Sequence, residues 1–229
     1  LIGCTVQRSG GTGVEVTRGG SVMLSAGSQV LDSAGAGIRA TRHGLVSLNS
    51  STVMRSGAQG IVLSSGSQGS IANGSTIAEN AGHGIDVLMS QADVTGNNII
   101  RDNLGFGVGG HNSPITIDEN TITGNQGDGV MGYIGTTLVL HGNEISGNGG
   151  SGVVCMGNCL AQIGRATIES NGGNGITLVW GAKLILEEPA TAVSGNRDFA
   201  LWCGDSESSF EAMAPLDTTD PIECTGFNH

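Results

Sequence analysis

The sequence predicts an all-β fold in which about nine three-strand rungs of 22–24 residues stack into one coil. Three observations carry this. Glycine supplies 41 of the 229 residues, more than twice its usual share. A Gly-x-Gly pair followed by Val or Ile recurs along the chain, from Gly11-Thr12-Gly13-Val14 to Gly173-Asn174-Gly175-Ile176. The anchors Val14, Ile38, Ile61, Ile85, Val108, Val130, Val153 and Ile176 step by 24, 23, 24, 23, 22, 23 and 23 residues. A further step of 23 reaches Phe199 in a degenerate ninth copy. Finally, each copy holds three short stretches in which apolar residues alternate at period two, as strands require, and no copy has room for a helix.

The elements follow in order within each copy. A first strand, such as Thr76-Ile77, precedes a corner three residues beyond its apolar anchor. That corner column reads Ser9, Ser33, Ser56, then Asn80, Asn103, Asn125, Asn148, Asn171 and Asn196. Side-chain amides stacked at the spacing of neighbouring strands, about 4.8 Å, can hydrogen-bond from copy to copy. The second strand, Ile85-Asp86-Val87 in the fourth copy, follows the Gly-x-Gly turn. The third supplies inward pairs: Val22/Leu24, Val46/Leu48, Ile115/Ile117, Leu138/Leu140 and Leu184/Leu186. Nine rungs at that spacing give a rod core roughly 40 Å long. The period fades near Gly204, where Asp205, Glu207, Glu211, Asp217, Asp220 and Glu223 accumulate. Residues 1–203 are therefore expected to form the coil and 204–229 an acidic cap over its last rung. Leu1 falls almost directly into a strand, so the native polypeptide is expected to continue upstream.

The repeated pattern Thr-Ile-x-x-Asn-x-Gly-x-Gly-Ile-x-Val resembles that of the right-handed parallel β-helix proteins, the pectate-lyase-like superfamily, over about residues 3–203. The resemblance implies a right-handed single-stranded parallel β-helix. It also implies a search for the machinery by which such proteins cleave or epimerise acidic polysaccharides. A lyase needs a base and a cation, Ca²⁺ or Arg, at the substrate carboxylate. No comparable acidic cluster, Asp-Pro-His segment or calcium nonapeptide appears in the sequence. Of the polygalacturonase segments only Gly82-His83-Gly84 is present, and His83 occupies the variable place of the repeat, where other copies put Ala36, Asp128, Ser151 or Asn174. No motif supports a cofactor or metal; Ca²⁺ stays possible without one.

Composition narrows the partners. Nine Lys and Arg against 20 Asp and Glu give a net charge of −11, which excludes the basic stripe that nucleic acids require. No stretch is long and apolar enough to predict a membrane span. Glycoside hydrolysis needs two nearby carboxyls. The outward column Arg8, Asp32, Arg55, Glu79, Asp102 supplies the best catalytic candidates, Glu79 and Asp102 with Arg101 and His83. The competing reading is an ion-pair ladder that fixes register, each pair worth under about 1 kcal/mol.

From the fourth rung on, the outward positions of the second strand become Asp86/Leu88, Gly109/His111, Met131/Tyr133, Val154/Met156 and Thr177/Val179, with Trp180 next. Leu88, His111, Tyr133, Met156 and Trp180 are the predicted contact surface for a polysaccharide or a protein, unless a loop or the cap covers them. Cys155/Cys159 and Cys203/Cys224 are expected as disulfides, with zinc the alternative; Cys4 is left over, its partner expected upstream. These features together predict a secreted or cell-surface binding module, with oligomers open. The alternative is a polysaccharide lyase, hydrolase or epimerase acting on a uronate-containing glycan.

Overall fold

The computed structural model describes residues 1–224. Their strands form three parallel sheets of ten, ten and nine members. Each rung gives one strand to each sheet. Rung four runs Thr76–Ala78, Ile85–Leu88 and Gln91–Thr95. Each of these pairs in parallel with its counterpart one rung on: Ile77 with Ile100, Val87 with Gly110 and Val94 with Ile117. The chain is thus a three-sided parallel coil, as the repeat predicts.

Alternation sorts the side chains. Ile77, Ile85, Val87, Ala92 and Val94 of rung four point inward and are buried, and each larger aliphatic contributes about 1.5–3 kcal/mol of burial. The expected third-strand pairs from Val46/Leu48 to Leu184/Leu186 are buried too, while Val22 on the first rung is only partly so. The Gly-x-Gly turn lets successive rungs approach. A Cβ on Gly107 would stand 2.6 Å from the Ile122 Cγ2 methyl and 2.7 Å from the Gly129 carbonyl.

The corner amides form the predicted ladder. Asn103 donates its backbone N–H and its Nδ2 to Asn125 Oδ1 at 3.1 and 2.8 Å. Asn125 repeats this toward Asn148 at 3.1 and 3.0 Å. The series runs from Asn80 to Asn196. A second ladder, at the corner between the third and first sheets, links Asn98 Nδ2 to Asn120 at 2.8 Å and Asn120 Nδ2 to Asn143 at 3.3 Å.

Two features differ from the sequence reading. The ninth second-sheet anchor is Leu201, not Phe199, because Ile176 pairs with Leu201. The shift arises in the turn Glu188-Pro189-Ala190, which lengthens the step from Ile168 to Val193 to 25 residues. Phe199 instead stands in the turn, donating its N–H to Asn174 Oδ1 at 3.1 Å. Beyond Gly204 the chain continues coiling: Ser209–Ala212 pairs beside Lys183–Glu187, and Leu216–Asp217 and Ile222–Glu223 extend the other two sheets. The acidic segment therefore completes the ninth rung and adds two strands of a tenth. Its residues 225–229 lie outside the described ones.

Candidate functional site

The outer face of the second sheet is built by register. Leu88, His111, Tyr133, Met156 and Val179 are successive partners across rungs four to eight. All five are half-buried. Trp180, one place beyond the column, is 60 % exposed. The rings approach one another: His111 and Tyr133 have centroids 5.3 Å apart, Tyr133 and Trp180 6.5 Å. The five residues expected to make contacts therefore form one continuous row.

A groove of about 270 Å³ opens beside this row, lined by His83, Asp86, Leu88, Phe106, Gly110, His111, Met131 and Tyr133. Its origin is local. Gly109 leaves a gap in the column that Asp86 and Met131 otherwise fill, and the Phe106 ring lies over it, 2.2 Å from where a Cβ would stand. His83 and Phe106 hold the same place in the Gly-x-Gly turns of adjacent rungs, so register stacks them, with centroids 3.4 Å apart and planes 4° from parallel. The Phe106 N–H donates to His83 Nδ1 at 3.2 Å, which places the proton of the neutral ring on Nε2.

Burial sets the charges. His83 has its pKa pushed below the ordinary imidazole value by desolvation, against the pull of Asp86. Desolvation raises the Asp86 carboxyl, opposed by His83, a hydrogen bond from Gln59 and the charge of Arg39. Asp128, in the same turn column as His83, is raised by burial as well, opposed by the Ser151 N–H it accepts at 2.8 Å. Groups shifted in this way in a cleft are suited to proton transfer or to hydrogen bonding with a polar ligand.

The sequence-predicted catalytic set divides. Arg101 bonds Asp102 and lies 3.7 Å from Glu79, on the corner where Arg55 also pairs with Asp32 at 2.7 Å. The Asp32 carboxyl is held below its usual range chiefly by its hydrogen bond from Arg55. These side chains are solvent-exposed and form two ion-paired clusters, Arg55 with Asp32 and Arg101 with Glu79 and Asp102. His83 belongs instead to the second-sheet groove. What the residue pattern does not show is the reach of Phe106 from its turn column over the strand position of Gly109. Asp86 and Gly109 were visible as outward residues, but the groove arises because Phe106 tips over Gly109 onto His83.

The cysteines pair as expected: Cys155 with Cys159 and Cys203 with Cys224, while Cys4 is free and exposed. Cys159 occupies the corner column of Ser113 and Thr136, so its bond to the inward Cys155 crosslinks one rung internally.

The family described as right handed beta helix region matches residues 1–131 and 36–197. Among solved structures, a singly substituted form of the periplasmic alginate epimerase AlgG is 18 % identical, with a TM-score of 0.75 over 86 % of this chain and 50 % of its own. Unsubstituted AlgG is 15 % identical, with a TM-score of 0.68 over 86 % and 55 %. Pectate lyase Pel9A is 13 % identical, with a TM-score of 0.55 over 93 % and 69 %. The chain spans about half the length of these AlgG structures. At such identities the likeness is one of fold. No curated protein matches the sequence.

Proposed function

As this chain belongs to the right-handed β-helix family, we propose that it is an extracytoplasmic glycan-binding β-helix, which engages a polysaccharide along the outer face of its second sheet. The observation that carries the reading is the run of rings His111 and Tyr133, in register and half-buried, and Trp180 beside them, exposed, flanked by a groove with polar groups at its edge. Aromatic rings offer flat apolar faces to sugar rings, and a few polar groups beside them fix orientation. Two disulfides fit an oxidising compartment, secreted or on the cell surface. The likeness in fold to an alginate epimerase and a pectate lyase agrees with a carbohydrate ligand. A protein surface could use the same row, and binding assays separate the two.

Affinity electrophoresis of the whole chain through gels carrying individual polysaccharides tests the proposal. Retardation by at least one glycan is expected, and Tyr133→Ala and Trp180→Ala should each weaken it about tenfold, the loss of one good aromatic contact, without lowering the unfolding midpoint. Full binding by both variants would remove this face from consideration.

One observation favours a catalytic version of the same reading. The groove holds a buried carboxyl, Asp86, beside a neutral imidazole, His83, the pair of groups that acid–base cleavage or epimerisation would use. Shortened or epimerised polymer after incubation, abolished by Asp86→Asn and retained in Glu79→Gln and Asp102→Asn, would establish an enzyme and place its chemistry in the groove. Calcium dependence would add a cation at the substrate carboxylate.

A further inference from the structure

We propose that the second-sheet groove takes an uncharged glycan and rejects uronates; this deepens the glycan-binding reading and rests on it. The argument is one of charge on a single face. Asp86 lines the groove, Asp128 stands in the adjoining turn column, and Asp205 lies beside Trp180, whose backbone N–H donates to it. None of the nine Lys and Arg residues lies on the second-sheet strands of rungs four to eight or in the turns flanking them. Arg39 on rung two is the cation that acts on Asp86, and it does so by charge rather than by a bond. His83 is no substitute, since its burial disfavours the charged form.

A uronate in contact with Tyr133 would therefore bring its carboxylate toward Asp86 with no guanidinium or ammonium to receive it. Juxtaposed like charges discriminate against a ligand strongly where water is partly excluded. A neutral sugar meets no such penalty. Its ring can lie on Tyr133 and His111, and its hydroxyls can donate to Asp86 and accept from His83 Nε2–H. Asp86 is the specificity-determining residue in this arrangement, because the same carboxylate that accepts from a hydroxyl repels a carboxylate.

The test is titration calorimetry of the whole chain at pH 7 with hexasaccharides of equal length. Cellohexaose and mannohexaose represent neutral chains, hexagalacturonate and hexamannuronate the charged ones, each with and without Ca²⁺. At least one neutral oligomer should bind, both uronates should bind tenfold or more weakly, and Asp86→Asn should narrow that gap to about threefold by strengthening the uronates. Tyr133→Ala, with its fold checked by circular dichroism, locates each ligand. Uronate binding as tight as neutral binding and lost in Tyr133→Ala, with or without Ca²⁺, overturns the charge argument and leaves the glycan reading standing. A gap unchanged in Asp86→Asn also overturns it. Failure of all four oligomers to bind overturns the glycan reading and this inference with it. Neutral oligomers that need Tyr133, beside uronates that bind independently of it, support both.

Discussion

The first three rungs and the rungs that follow use the same coil but different corners. In rungs two and three the corner residues Ser33 and Ser56 have buried hydroxyls with no hydrogen-bond partner. From rung four the corner is Asn, and each amide is held from both sides, as Asn125 is by Asn103 and Asn148. The outer face of the second sheet changes at the same rung, from solvated pairs such as Glu15/Thr17 to the Asp86/Leu88 pair that begins the groove. Backbone pairing and apolar stacking therefore propagate the coil without amides at this corner. The amide ladder fixes rung spacing and corner geometry where the chain carries its contact row, and such fixed spacing keeps the column from Leu88 to Val179 in line across five rungs.

The largest effect expected of a single substitution breaks that contrast directly. Asn125→Ala leaves the Asn103 N–H without its acceptor and takes one bond each from Asn103 Nδ2, the Asn148 Oδ1 and the Ile100 carbonyl, while Asn103 Nδ2 keeps the Ile77 carbonyl and Asn148 Oδ1 keeps the backbone N–H of residue 125. At about 1–3 kcal/mol for a buried group left unpaired and not rescued by water, a loss of about 2 kcal/mol is expected. Ser56→Ala removes a hydroxyl that bonds nothing and should change stability by less than about 0.5 kcal/mol, as neutral sites do. Urea unfolding of the two variants reads the difference, and equal losses would show that the ladder adds nothing to stacking.

How much of this was legible follows from which contacts repeat. Columns at a step of 23 put like residues in line, so the inward pairs, the first Asn ladder and the Leu88-to-Met156 row could all be read before any coordinates. The second ladder, Asn98, Asn120 and Asn143, was missed because Ser51 and Ser75 precede it and Ala166 follows, so the column does not look uniform. A constant step of 23 points to Phe199 rather than Leu201 because it cannot register two extra residues in one turn. The groove was hidden for another reason: it joins a turn column to a strand column, and only the missing side chain at Gly109 lets Phe106 cross between them.

A second, smaller comparison sets the two disulfides against each other. Cys203–Cys224 closes a separation of 21 residues at the end of the coil, whereas Cys155–Cys159 closes a separation of 4 inside one rung. On the loop-entropy relation the first should contribute about 3 kcal/mol and the second about 2 kcal/mol. The longer one also ties the last strands, Leu216–Asp217 and Ile222–Glu223, to the stack. Cys203→Ser with Cys224→Ser should therefore expose the amides of residues 209–223 to hydrogen exchange while leaving rungs four to seven protected. Uniform loss of protection would instead mean that the coil opens as one unit.

The smallest effect is also the most diagnostic of the groove. Because desolvation raises the Asp86 pKa in the folded chain above its ordinary value of 3.8, the folded state holds the proton more tightly than the unfolded one. The carboxyl is protonated in both states below the ordinary value, and there its burial carries no charge penalty. As pH rises through the raised folded value, the penalty appears and persists to neutrality. Asp86→Asn removes the charge while keeping the shape. Relative to the parent it should gain stability between pH 3 and pH 7, by no more than about 1 kcal/mol at a surface groove. His83 works in the opposite sense, since its lowered pKa costs stability as pH falls below its ordinary value of 6.5, and it loses the opposing pull of Asp86 in Asp86→Asn, so His83→Gln is the background in which the two pH profiles are compared. A flat difference would mean that Asp86 is as well solvated as an ordinary surface carboxylate. The groove would then lack the dry wall on which its selectivity among glycans depends.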